Sequence, residues 1–170
     1  KEFINKGFVI SFLMTSSQSA LSNKLKKVSI NLGSLCLELI FGVVIAKNKE
    51  KVISKDPLPG YKPFIEGKDI KRYYISPISK YLLYDTKLLH RARTSRIFEA
   101  PEKIIIQRIT GGNRPLNATY DNGQIYNKES LNNIILQKHT PYHIKYILGI
   151  INSKLMNWFY RNQFTNESTL

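Results

Sequence analysis

Cysteine is nearly absent from this chain of 170 residues: Cys36 is the single one. One cysteine excludes a disulfide framework and a cysteine-rich zinc site. Lying in Ser-Leu-Cys-Leu-Glu-Leu-Ile-Phe, it reads as a core thiol and fits a reducing cytoplasm. Acidic residues are also few, 12 against 26 lysines and arginines, leaving a net charge of +14. Such an excess argues for a polyanionic partner, most commonly nucleic acid, with a membrane surface as the competitor. No apolar run is long enough to span a bilayer, which takes about 20 residues. The longest, Leu35–Ala46, is interrupted by Glu38 and lies too deep in the chain for a signal peptide. There is no internal repeat and no low-complexity tract. Lys1 stands where a complete chain would carry Met. We therefore expect a piece of a longer protein, although removal of a tag would look the same. The length suits one domain, or one with a small appendage, and a core that needs no disulfide or metal.

The most informative stretch is Pro-Glu-Lys-Ile-Ile-Ile-Gln-Arg-Ile-Thr-Gly-Gly-Asn-Arg, residues 101–114. Ile104, Ile105 and Ile106 form a β-branched run that predicts a strand covered on both faces. Gln107 and Arg108 follow at its exit, then Gly111-Gly112, then Asn113 and Arg114. Arg can bond guanine, and Asn or Gln adenine, in two-pronged fashion. Glycines let a backbone approach a phosphate. The same residues would also suit an ordinary strand and hairpin turn with solvated polar ends.

Before that strand, Ala20–Lys27 has the composition of a short basic helix. Ser34, Leu35, Leu39 and Ile40 predict a short capped helix, and Gly42 then a strand at Val43-Val-Ile45. Lys47, Asn48, Lys49, Glu50 and Lys51 form a polar loop, either a solvated tip or a phosphate contact beside Gly42. Asp69 is a candidate cap for a turn reaching Tyr73, Tyr81–Tyr84 a strand, and Lys87–Phe98 a helix carrying Arg91, Arg93 and Arg96. Asn122-Gly123 predicts a hairpin between 117–121 and 124–127. Leu131–Leu136 starts a strand or a helix. Thr140-Pro141 predicts a helix start, with Ile144, Ile147, Leu148, Ile151 and Leu155 on one face. Ser153 would cap a second helix.

Four stretches in this order carry a family resemblance. They are Phe41-Gly-Val-Val-Ile-Ala-Lys-Asn-Lys49, Phe64-Ile-Glu-Gly-Lys-Asp-Ile-Lys-Arg-Tyr73, Pro101–Arg108 with Ala118-Thr-Tyr-Asp121 and Tyr126-Asn-Lys128, and Leu148-Gly-Ile-Ile-Asn-Ser-Lys-Leu155. Together the chain resembles the TaqI-like C-terminal specificity domain, the target-recognition domain of adenine-specific DNA methyltransferases and type IIG restriction-modification enzymes. The resemblance implies a region that clamps double-stranded DNA opposite a covalently linked methyltransferase domain. That domain would bind S-adenosylmethionine and flip the target adenine. No Asn-Pro-Pro-Tyr occurs here, so the family's catalytic residues have no positions in this chain. Ile45-Ala46 also stands where the family often has glycine.

Other chemistry is weaker. Asp56 with Glu66 and Lys68 mimics a magnesium nuclease, in a degenerate pattern. His139 and His143 are four apart, but Pro141 separates them and no third metal ligand is near. They read as surface or capping histidines. Tyr73, Tyr74, Tyr81 and Tyr84 could stack on bases or pack across strands.

The expectation is a mixed α/β (α+β) fold of short, mostly antiparallel strands with a C-terminal helical pair. Residues 1–31 would be an extension or linker, and 32–170 the DNA target-recognition domain. Lys47, Lys49, Lys68, Lys71, Arg72, Arg91, Arg93, Gly111, Gly112 and Lys128 are the candidate DNA-backbone contacts. Gln107, Arg108, Asn113 and Arg114 are the candidate base readers. No catalytic residue, resident cofactor or metal is expected in this chain, and its location is expected to be cytoplasmic. The competing functions are a magnesium nuclease, an RNA-binding module and a membrane-surface protein.

Overall fold

The computed structural model describes residues 14–45, 52–108 and 115–164. The fold is α+β with mostly antiparallel strands and two C-terminal helices. Helix α1 is Ser16–Val28. Its N-terminus is a capping box: Gln18 N–H donates to Thr15 Oγ1 at 3.3 Å, and Thr15 N–H to Gln18 Oε1 at 2.9 Å.

The first sheet holds β1 (Cys36–Phe41), β7 (Lys103–Gln107), β8 (Ala118–Asp121) and β10 (Leu131–Leu136), in the order β1-β10-β7-β8 and all antiparallel. The second holds β2 (Ile53–Ser54), β3 (Tyr61–Ile65), β6 (Tyr81–Leu83) and β9 (Tyr126–Asn127), in the order β2-β6-β3-β9, with β3 and β9 parallel. A small hairpin joins β4 (Ile70–Lys71) to β5 (Tyr74–Ile75). Helices α2 (Ile144–Ile151) and α3 (Lys154–Phe164) close the chain.

Strand β7 is covered on both faces, as its triple isoleucine predicts. Ile104 packs with Ala118, Ile134 and the α2 residues Ile144, Ile147, Leu148 and Ile151. Ile105 points the other way, toward Ile65, Ile70 and Leu131. Full burial of such a side chain stabilises by about 1.5–3 kcal/mol, so β7 is a main anchor of both layers. A third cluster joins Val43, Val52, Phe64, Leu82, Leu89, Ile97, Phe98 and Tyr126. Within it Phe98 stacks on Tyr126 with centroids 4.5 Å apart, and Tyr84 meets both rings.

Five expectations are corrected. Residues 36–41 form an edge strand rather than a helix, with only a 3-10 turn at Leu32–Leu35 before it. Residues 87–98 are not a helix. Arg91 pairs its backbone with Val44 in both directions, and the chain stays open so that Leu89, Ile97 and Phe98 reach one core. Asn122-Gly123 does turn the chain, but β8 pairs with β7 and β9 with β3, so the two flanks are not a hairpin. Asp69 ends a 3-10 turn at Gly67–Asp69 and accepts from Glu66 N–H at 2.8 Å, rather than capping a helix. Helix α2 starts at Ile144, where its apolar face begins. His143, not Thr140, caps it, with Nδ1 accepting from Lys145 N–H at 3.2 Å. The Ser153 cap is found, with Oγ accepting from Met156 N–H at 3.0 Å.

Tyr126 gives the fold a pH dependence. Its hydroxyl donates to Glu99 Oε1 at 2.8 Å. Burial, then that hydrogen bond and the Glu99 charge, hold its proton well above the ordinary phenol range. The folded state thus keeps a proton that an unfolded tyrosine releases near pH 10. This contribution is intact below about pH 10 and is lost as pH climbs through the folded value. Urea titrations between pH 9 and 11.5 should show stability falling with pH, and falling less steeply in Tyr126→Phe.

Candidate nucleic-acid interface

The end of β1 is held by direct contact between backbones. Gly42 N–H donates to Leu131 O at 3.0 Å, and Val43 N–H to Asn127 O at 2.9 Å. A Cβ on Gly42 would lie 2.0 Å from Asn127 O and 2.6 Å from Lys128 O. Glycine is required here by space. Val44 then pairs with Arg91, so Phe41–Val44 lies between the 127–129 and 90–91 segments.

Three cations gather around this junction. The Arg93 guanidinium carbon is 3.8 Å from the centroid of the Phe41 ring, and that of Arg108 is 5.0 Å from the same centroid. Arg108 also reaches Glu129 O at 3.4 Å, while its backbone N–H holds Ser130 O at 2.9 Å. Lys128 Nζ lies 3.6 Å from Glu66 Oε1 and 3.8 Å from Glu129 Oε1. Partly exposed ion pairs of this kind contribute about 0–1 kcal/mol, so they leave Lys128 able to exchange partners. In sequence, Ile45 precedes the lysine-rich stretch 46–51, and Arg108 precedes residues 109–114. Phe41 lies within a stretch quoted for the family resemblance, yet nothing in its spacing marks it as a ring shared by two arginines.

Other expected contacts are placed differently. Lys68 and Lys71 are exposed on the 67–71 turn and strand. Arg72 turns inward: Nη2 donates to Asn152 O at the C-terminus of α2, and the guanidinium lies 5.8 Å from the Tyr73 ring. A cation at a helix C-terminus is favourable there. Gln107 is half-buried and donates from Nε2 to Gly67 O at 2.8 Å. Arg91 is exposed. Lys47, Lys49, Gly111, Gly112, Asn113 and Arg114 lie outside the described residues. Tyr73 and Tyr74 are exposed on the small hairpin, whereas Tyr84 belongs to the core.

Two sets of buried polar contacts brace the fold. Asn152, fully buried, accepts from Ala118 N–H at 3.0 Å and donates to Ala118 O at 2.8 Å. Asn157 accepts from Leu116 N–H at 2.9 Å. The helix pair thereby fixes the chain at Leu116–Ala118. Lys103 is also fully buried. It donates to Phe98 O at 2.6 Å and pairs with Asp121, whose carboxylate accepts from Gly123 N–H at 2.8 Å and Ile125 N–H at 3.0 Å.

The nuclease pattern is not supported by this geometry. Glu66 is bound by Lys80 and approached by Lys128, two ammonium groups that oppose a divalent cation. Among the described residues no three His, Cys, Asp or Glu side chains gather to hold a metal. Among those residues, too, no helix is long and apolar enough to cross a membrane.

The pattern of the TaqI-like C-terminal specificity domain matches residues 62–170. The chain belongs to that family. The matched range covers three of the four resemblance stretches and leaves Phe41–Lys49 outside it. A protein of Methanocaldococcus jannaschii assigned as a type II restriction enzyme and methyltransferase is 31% identical over 116 residues. Those residues are 68% of this chain and 10% of that protein, so the chain corresponds to a small part of its relative. Gly42, the described glycine that directly follows a strand, is filled against by the Asn127 and Lys128 backbone and leaves no cradle.

Proposed function

We propose that this domain reads a specific sequence in double-stranded DNA for a restriction-modification enzyme. A covalently linked methyltransferase domain would supply catalysis and bind S-adenosylmethionine. The observation that carries this reading is the specificity-domain match over residues 62–170 in a chain of net charge +14.

The contacts divide by chemistry. Lys68, Lys71, Arg91, Arg93 and Lys128, with Lys47, Lys49, Gly111 and Gly112, meet phosphates. Arg108, with Asn113 and Arg114, reads bases. Arg72 and Gln107 have partners within the fold, on Asn152 O and Gly67 O, and support the surface from inside. Lys128 can leave its carboxylates for a phosphate at little cost.

Titration of duplexes at several salt concentrations separates the two groups. Lys71→Ala should weaken every duplex alike and reduce the salt slope by about one unit. Arg108→Ala should cost roughly 1–3 kcal/mol on the preferred sequence and little elsewhere. Unchanged sequence preference in both Arg108→Ala and Arg114→Ala would refute the base-reading assignment. Stronger binding to single-stranded RNA than to any duplex would replace this reading with an RNA-binding one.

A further inference from the structure

We infer that Phe41, Arg93 and Arg108 form one built acceptor site, in which both guanidiniums grip the same oxygen-rich group of the DNA. The inference rests on the DNA-reading role proposed above. It also departs from it, because it joins one phosphate contact and one base reader into a single unit.

The two guanidinium carbons lie over one aromatic ring, at 3.8 and 5.0 Å from its centroid. Each contact sets a cation against the ring's negative π face, which attracts it. Among the described residues neither arginine is in an ion pair, although Glu38, Glu66 and Glu129 each engage another cation. Arg93 Nε is buried with no partner among those residues. A buried donor without an acceptor is costly and asks to be satisfied. The arginines come from segments far apart in sequence, 91–93 and the exit of β7. Gly42 fixes the backbone next to that ring through its own backbone contacts. Phe41 is therefore a positioning residue that aligns two guanidinium forks before the ligand arrives.

A ligand with two or more acceptors in a row fits this arrangement. In DNA two sources present them: phosphate oxygens, and the O6/N7 edge of guanine. The chemistry is shared, and the test separates the sources.

The full chain is first offered a pool of random duplexes to define its preferred sequence. Arg93→Gln, Arg108→Gln and the double variant are then measured on preferred and altered duplexes. Phe41→Leu and Phe41→Tyr are measured beside them, and thermal midpoints are followed with and without inorganic phosphate. The two Gln substitutions should be non-additive, because one ligand group is lost either way. Phe41→Leu should weaken binding roughly 3- to 30-fold with the midpoint in buffer unchanged, and Phe41→Tyr should restore it. Phosphate should raise the midpoint of the wild type but not of Arg93→Gln.

A loss confined to duplexes with guanine at one position, reproduced by 7-deazaguanine there, identifies the base edge. A loss equal on all duplexes, reproduced by one neutral methylphosphonate, identifies a phosphate. Additive arginine losses, an inert Phe41→Leu and no phosphate effect would overturn the site while leaving DNA reading intact. Phosphate protection of the wild type without any duplex binding would keep the site and overturn the DNA reading.

Discussion

Gly42→Ala should unfold or severely loosen the domain, at a cost of about 3 kcal/mol, the upper end of overpacking penalties. The methyl group would arrive 2.0 Å from Asn127 O and 2.6 Å from Asn127 C and Lys128 O. All three are backbone atoms, so no side chain can rotate away. Relief would require breaking the Gly42–Leu131 and Val43–Asn127 hydrogen bonds that hold the end of β1. Urea unfolding should show a lower midpoint with an unchanged slope if only stability falls. DNA affinity should fall too, since this contact seats Phe41. Gly149→Ala is the control, because a Cβ there meets nothing within 4 Å and helix α2 gains propensity. A midpoint for Gly42→Ala within error of the wild type would show that the backbones leave room for a methyl group there.

Lys103→Met should cost about 3–5 kcal/mol, the usual result of removing one member of a buried ion pair. Lys103 and Asp121 are both shut off from solvent, and they close the sheet across β7 and β8. Burial pushes the Lys103 ammonium's pKa down, and the Asp121 charge and hydrogen bond oppose that push. Methionine keeps the unbranched stem, one atom shorter, but leaves the Asp121 carboxylate charged, with only Gly123 and Ile125 N–H to satisfy it. Phe98 O loses its donor as well. The double variant Lys103→Met with Asp121→Asn should recover part of the loss. The amide oxygen keeps one N–H partner, and no charge is left buried. Chemical denaturation of the wild type and the variants measures both steps. A single-variant loss below about 1 kcal/mol would mean that the pair is neutral to stability.

The elements legible in the sequence were those where local pattern and tertiary packing agree. Ile104–Ile106 needed only β-branching and the glycines beyond to read as a buried strand. The α2 face was legible because Ile144, Ile147, Leu148 and Ile151 repeat at helical spacing and all bury. Where pattern and packing part, local reading fails. Leu35, Leu39 and Ile40 fit a helix, yet the same run alternates well enough for an edge strand, and pairing with β10 decides it. Lys87–Phe98 carries no breaker, and only the long-range pairing of Arg91 with Val44 keeps it open. Asn122-Gly123 signals its turn correctly, but no local residue tells that β9 leaves for another sheet.

The candidate interface was legible as residue types rather than as geometry. Arg93 and Arg108 were marked by charge and by position at a strand exit, but their meeting at Phe41 joins segments 52 and 67 residues beyond it. Lys103 reads as one more solvated lysine, because its partner Asp121 belongs to a different stretch. Arg72 stands among exposed lysines and differs from them only through the carbonyl it finds at the end of α2.

Selection from a fully randomised duplex pool tests sequence-dependent binding of duplex DNA most directly. With the full chain at physiological salt, repeated selection should enrich one short sequence, and Arg108→Ala should lose or relax one position of it. Retention of the pool without enrichment, with all duplexes held at one affinity set only by salt, would contradict it.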